Sequence, residues 1–89
     1  MKHEDWIVLE DEILELFQRR CVRCPAKAVT AHHMVPRSLD PSREADPDNL
    51  VALCHACHIW SHVIGTKNSR VDLLWDRQKM LAFLYPDQL

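Results

Sequence analysis

Trp6, Leu9, Ile13, Leu16 and Phe17 recur at helical spacing along the opening segment of the chain, and the pattern predicts a helix over about Glu4–Arg20. Acids stand in its first turn and Arg19 and Arg20 in its last, each sign placed to complement the macrodipole. The stretch "CVRCP" breaks the period; a Cys-x-x-Cys ending in proline predicts a compact turn rather than more helix. Two short runs, "AVTAHHM" and "NLVAL", are β-compatible and long enough for one hairpin only. Between them residues 35–48, "VPRSLDPSREADPD", hold three prolines, no glycine and no period, and read as a long ordered loop of the kind that tends to carry function. From about Ala56 the chain is expected to be helical to Ile64, with Gly65 as its stop. Ser69 and Asp72 then predict a capping box for a last helix over about Arg70–Leu84, ended by Pro86. Apolar residues cover more than one face of that helix (Leu73, Leu74, Trp75, Met80, Leu81, Phe83, Leu84). They imply burial against the first helix or against a second copy of the chain, and the oligomeric state stays open.

With 89 residues and a single glycine, the chain reads as one domain over 1–89 whose core buries only about 60% of the unfolded surface, so a metal or disulfide staple is expected. No apolar run approaches the roughly 18 residues of a membrane span, and the start "MKHEDWIVLEDE" is acidic where a signal peptide is basic and then apolar. The expectation is a soluble cytoplasmic protein with no membrane partner. In that compartment paired cysteines favour metal over disulfide. The net charge of −2 is unevenly spread, with residues 1–18 summing to −5 and residues 19–43 to +5. The second block sets Arg19, Arg20, Arg23, Lys27, Arg37 and Arg43 against Asp40 alone. It is either a phosphate-contacting face or a solvated basic surface.

The densest chemistry lies in "CHACHIWSH", residues 54–62, with two cysteines and three histidines. Cys21-x-x-Cys24 and Cys54-x-x-Cys57 contain all the cysteines of the chain, and two such knuckles supply a tetrahedral thiolate set for a structural Zn²⁺. Two disulfides are disfavoured by the expected compartment, and two redox motifs lack a βαβ setting. "CHACH" also satisfies the haem-attachment pattern Cys-x-x-Cys-His, but attachment requires export and would leave the first knuckle without purpose. The 29 residues between the knuckles exceed the gap of a simple zinc ribbon and must hold a substructure of their own. With the thiolates assigned, His58 and His62 stand at i and i+4 on one helical face, close enough to share an ion. His32 and His33 are adjacent on a strand, so they point to opposite faces, and one can ligate an ion while the other does something else. Unpartnered surface histidines are the plain alternative. His55 is left over and reads as a surface or DNA-facing residue.

Cys-x-x-Cys, then "AHHMVPRS", then "DNLVALCHACHIWSH" resembles, in that order, the HNH endonuclease family in its four-cysteine, zinc-stapled form, and is similar to the small stand-alone members that phage genomes encode. The resemblance spans about residues 21–62 and leaves the first and last helices outside it. It implies a small α+β fold: a ββα-metal (treble-clef-like) core over about 28–64, zinc knuckles at 21–24 and 54–57, and a flanking helix at either end. Position by position, it implies that His33 is the general base taking a proton from the attacking water. Asn49 would brace the hairpin loop so that the base points correctly, and His32, His58 and His62 would hold one catalytic divalent ion. The glycine-rich turn that many members carry after the Pro-Arg-Ser stretch is missing from "LDPSREADPD". Arg37 and Arg43 in that loop are candidate phosphate contacts.

The residue types suit this chemistry on their own terms. When water attacks a phosphodiester in line, a divalent ion neutralises the charge on a non-bridging oxygen and on the leaving 3′ oxygen, and an imidazole that is neutral near pH 7 is a suitable base. Imidazole ligands take Mn²⁺, Ni²⁺, Co²⁺ or Zn²⁺ more readily than Mg²⁺. The expectation is a metal-dependent DNA endonuclease or nickase, acting on DNA alone or within a larger DNA-processing machine. The competing reading is a zinc-stapled nucleic-acid- or protein-binding module without catalysis, which has no need of His32, His33, Asn49 and His58 together.

Overall fold

The computed structural model describes residues 2–88. Helix α1 (His3–Leu16) leads through a knuckle turn to strand β1 (Thr30–His33), and after a loop come strand β2 (Leu50–Leu53), helix α2 (His55–Ile64) and helix α3 (Thr66–Leu84). The strands pair antiparallel, Thr30 opposite Leu53 and His33 opposite Leu50, so the fold is small α+β with one hairpin and three α-helices. Strand β2 is apolar at every position and wholly buried, as a continuous hydrophobic run covered on both faces must be. Helices α1 and α2 both pack on the hairpin and α3 packs on α2. Ile13, Leu14 and Phe17 from the first helical segment, Met34 after β1 and Leu73 of α3 complete the core.

Two boundaries differ from the sequence expectation, each because backbone groups find better partners. Helix α1 stops at Leu16 rather than at Arg20. Gln18 and Arg19 adopt left-handed φ values of 53° and 56°, and the backbone at 19–20 bonds across to the knuckle, with Ala28 N–H donating to Arg19 O at 2.9 Å and a bridge between Arg20 and Lys27. Arg19 turns back to Asp11 and Glu15 at 2.6 and 2.7 Å. Helix α3 begins at Thr66, not after Ser69, because Gly65 at φ 87° both ends α2 and opens α3, accepting the Ser69 N–H at 2.9 Å. Ser69 is therefore a buried residue inside the helix, and no capping box forms.

The loop at 35–48, which shows no periodicity, is ordered by two 3₁₀ turns, Pro41–Arg43 and Pro47–Asn49. Each starts with an aspartate, Asp40 or Asp46, whose carboxylate accepts the backbone N–H two residues on, ahead of a proline with preset φ. Arg77 of α3 holds the far end of the loop, donating to Leu50 O at 3.2 Å and to Pro47 O at 3.1 Å. Among the described residues no helix is long and apolar enough to cross a membrane.

Candidate metal centres

Helix α2 splits "CHACHIWSH" into two sets because neighbouring helical positions diverge by about 100°. Cys54 and Cys57 turn to the first knuckle, while His58 and His62 turn to β1. The four sulfurs of Cys21, Cys24, Cys54 and Cys57 lie within 4.8 Å of one another, and all four thiols are free. Cys54 is the N-cap of α2, its sulfur accepting the Cys57 backbone N–H at 3.4 Å. That bond draws the Cys54 thiol down to about 7, whereas burial pushes the Cys57 thiol up. Four sulfurs this close cannot all carry charge without a cation among them, so the donor set fits a tetrahedral dication and could bind structural zinc. Arg23, between the two cysteines of the first knuckle, stacks 3.7 Å over the Trp60 ring and pairs with Asp76 at 2.8 Å. The knuckle is thereby fastened to α2 and α3.

The second set joins β1 to α2. The rings of His32, His58 and His62 meet edge to face with centroids 4.6–5.7 Å apart, and one nitrogen of each lies within 4.8 Å of the others. The Nε2 atoms of His58 and His62 stand 3.0 Å apart, close to the about 3.3 Å that separates two tetrahedral ligands on bonds of about 2.0–2.1 Å. Burial, then the neighbouring His58 and His62, hold His32 down to about 4, and burial also lowers His58. Neutral imidazoles converging in this way fit a divalent transition metal. His62 is exposed, so the site opens to solvent on the α2 side. His55, at the start of α2, is exposed and outside the cluster.

His33 points elsewhere. Its Nε2 lies 2.8 Å from Glu44 O in the loop, and its ring stacks on Trp6 of α1. Asn49, fully buried, spans the loop: its Oδ1 accepts Val35 N–H at 2.8 Å, and its Nδ2 donates to Val35 O at 2.8 Å and to Arg43 O at 3.3 Å. The residue it grips, Arg43, directly precedes Glu44.

Knuckle, adjacent histidines, loop asparagine, second knuckle and helical histidines thus follow one another along a single ββα unit. Residues 20–63 match the family model described as HNH endonuclease. That segment belongs to the HNH endonuclease family. That family suggests a nuclease-type function and implies a divalent metal. No curated protein and no solved structure gives a significant match.

Helices α1 and α3 both lie wholly outside the HNH segment. Four of the six cations in the 19–43 basic block meet carboxylates in space. Arg37 pairs with Glu44 at 3.3 Å, Arg43 with Asp46 at 3.5 Å, Arg23 with Asp76 and Arg19 with Asp11 and Glu15. A pair with one largely exposed partner contributes only about 0–1 kcal/mol, so Arg37, 66% exposed, can exchange its carboxylate for a phosphate. Two contacts on β1 escaped the sequence reading. Trp6 reads there as a core position of the first helix, and Glu10 as one acid among many. Glu10 accepts from Thr30 Oγ1 at 3.0 Å and from Ala31 N–H at 3.2 Å. The only trace in the sequence is that positions 6 and 10 share a helical face.

Proposed function

We propose that this HNH protein is a metal-dependent DNA endonuclease or nickase that hydrolyses phosphodiester bonds, with His33 as general base and one divalent ion held by His32, His58 and His62. The observation that carries the reading is the contact of His33 Nε2 with the Glu44 carbonyl at 2.8 Å. A carbonyl oxygen only accepts, so Nε2 bears the proton and Nδ1 keeps its lone pair. Nδ1 takes the proton of the attacking water, and the imidazolium that forms is stabilised by the same carbonyl, now accepting a charge-assisted bond. Asn49 keeps that acceptor in place through its grip on Val35 and Arg43.

When bound, the divalent ion supplies charge neutralisation at the phosphoryl and leaving oxygens. His32, kept neutral by burial, is available as a ligand at pH 7 without first losing a proton, and imidazole ligation favours Mn²⁺, Ni²⁺, Co²⁺ or Zn²⁺ over Mg²⁺. Arg37 and Arg43 meet the DNA backbone by giving up their half-buried carboxylates, Glu44 and Asp46. The cysteine site stays out of the chemistry: zinc there ties the first knuckle to the start of α2, the helix that carries His58 and His62. With a net charge of −2 and five of its arginines paired with carboxylates, the domain binds DNA weakly by itself or is delivered by a larger machine.

The test is incubation of supercoiled plasmid with the protein under Mg²⁺, Mn²⁺, Ni²⁺ or EDTA. Nicked or linear plasmid is expected with the transition metals, none in EDTA, and cleavage slowed about 10²–10⁴-fold with His33→Ala. Protein that binds the plasmid yet leaves it supercoiled with every metal would instead be a zinc-stapled binding module.

A further inference from the structure

The bond from His33 Nε2 to Glu44 O fixes one point of the imidazole and leaves the ring able to turn about the line joining donor and acceptor. The Cβ–Cγ tether and that bond still leave the ring play about χ2. Trp6 limits it: its indole lies against the imidazole with centroids 5.2 Å apart and planes 20° apart, an offset stack of the preferred kind. Bond and stack together narrow the directions open to Nδ1. The platform that carries the indole is itself fixed. Glu10, on the same face of α1 one turn later, holds Thr30 and Ala31 of β1, three and two residues before His33. Farther along, Ile13 and Leu14 sink the helix into the core. Trp6 is only half-buried, and it lies outside the segment that matches the HNH family.

We infer that Trp6 is a positioning residue for His33, its indole holding the imidazole plane so that Nδ1 faces the attacking water. The inference rests on the reading of His33 as general base. It makes α1, an element outside the HNH segment, part of the working site, with Glu10 as the clamp that sets the distance between indole and imidazole.

The test is single-turnover cleavage of supercoiled plasmid at saturating DNA by the full chain loaded with zinc and Mn²⁺, comparing Trp6→Ala, Trp6→Leu, Trp6→Phe, His33→Ala and the double variant Trp6→Ala/His33→Ala. Trp6→Ala is expected to slow cleavage about 10- to 100-fold, the scale of a small misplacement of a reacting group, with half-saturating DNA and Mn²⁺ concentrations unchanged. Trp6→Phe should recover most of the rate and Trp6→Leu, which fills space without a ring, should not. If Trp6 acts only through His33, the double variant is no slower than His33→Ala. In the zinc-loaded protein the His33 ring protons should resonate upfield under the indole and move downfield in Trp6→Leu. Equal rates for the leucine and phenylalanine variants, a double variant slowed by the full factor of Trp6→Ala, or His33 resonances indifferent to residue 6 would each overturn the inference. If His33→Ala is inactive while Trp6→Ala cleaves like wild type, the positioning role alone falls. If His33→Ala itself cleaves like wild type, the general-base reading falls and takes this inference with it.

Discussion

Asn49 offers the sharpest test of how the loop holds the site. Its side chain is fully buried and makes three hydrogen bonds, to Val35 N–H, Val35 O and Arg43 O, and no buried side-chain polar atom among the described residues lacks a partner. Asn49→Ala removes all three. At about 1 kcal/mol net for each, with the half-buried Val35 amide only partly able to reach water, the expected loss is about 2–4 kcal/mol. Asn49→Asp is more revealing, because it keeps the acceptor for Val35 N–H but turns the donor into an oxygen facing two carbonyl oxygens. At pH 7 it should be less stable than the alanine variant. Burial and the two carbonyls raise the folded pKa of such an aspartate above the about 3.9 of the unfolded chain. Relative to Asn49→Ala, its stability is therefore fully present below about 3.9 and lost as pH rises through the folded value. Urea unfolding of both variants at fixed zinc from pH 7 to pH 5 reads this difference with the zinc contribution cancelled. The reasoning is refuted if Asn49→Ala lies within about 0.5 kcal/mol of wild type, the range of an ordinary surface change, or if the aspartate variant is the more stable at pH 7.

Cys24→Ser should leave a poorly folded chain, since zinc binding in small domains contributes on the order of 10 kcal/mol to folding; native circular dichroism with an unchanged melting temperature in the absence of added metal would remove the structural role. His33→Ala should lose about 10²–10⁴-fold in cleavage with no rescue by metal, whereas raising Mn²⁺ should partly restore His32→Ala and His58→Ala; a reversed pattern in a metal titration would exchange the roles of His32 and His33. With the histidine site stripped of metal, the unfolded chain binds a proton at His32 near its ordinary 6.5 and the folded chain only near about 4, so stability should fall as pH drops between these values; His32→Ala should flatten that part of a urea-denaturation profile. Arg77→Ala strips donors from Leu50 O and Pro47 O and should cost about 2 kcal/mol, measured as a shift in urea midpoint at constant slope.

Local chemistry made much of this protein legible before any fold was known. Spacing carried the thiolate knuckles, the i, i+4 histidines of α2, the apolar run of β2 and the stop at Gly65, because each depends on residues within a turn or a strand of one another. Alternation along β1 was enough to part His32 from His33. The misjudged ends of α1 and α3 mark where that logic stops. Whether a helix continues past Leu16 depends on what the carbonyl of Arg19 can find, and its partner, the amide of Ala28, is brought there only when the knuckle folds back. Charge meets the same limit: +5 over residues 19–43 counts neighbours in the chain, while only the tertiary fold brings Asp76 of α3 against Arg23. The surroundings of His33 were the least legible. A backbone carbonyl eleven residues downstream and an indole from a separate helix have no signature in composition or period, since any residue supplies a carbonyl and any helix can bury a tryptophan. Only packing of α1 on the hairpin, and of the loop about Asn49, decides that these two groups, and not others, hold the ring.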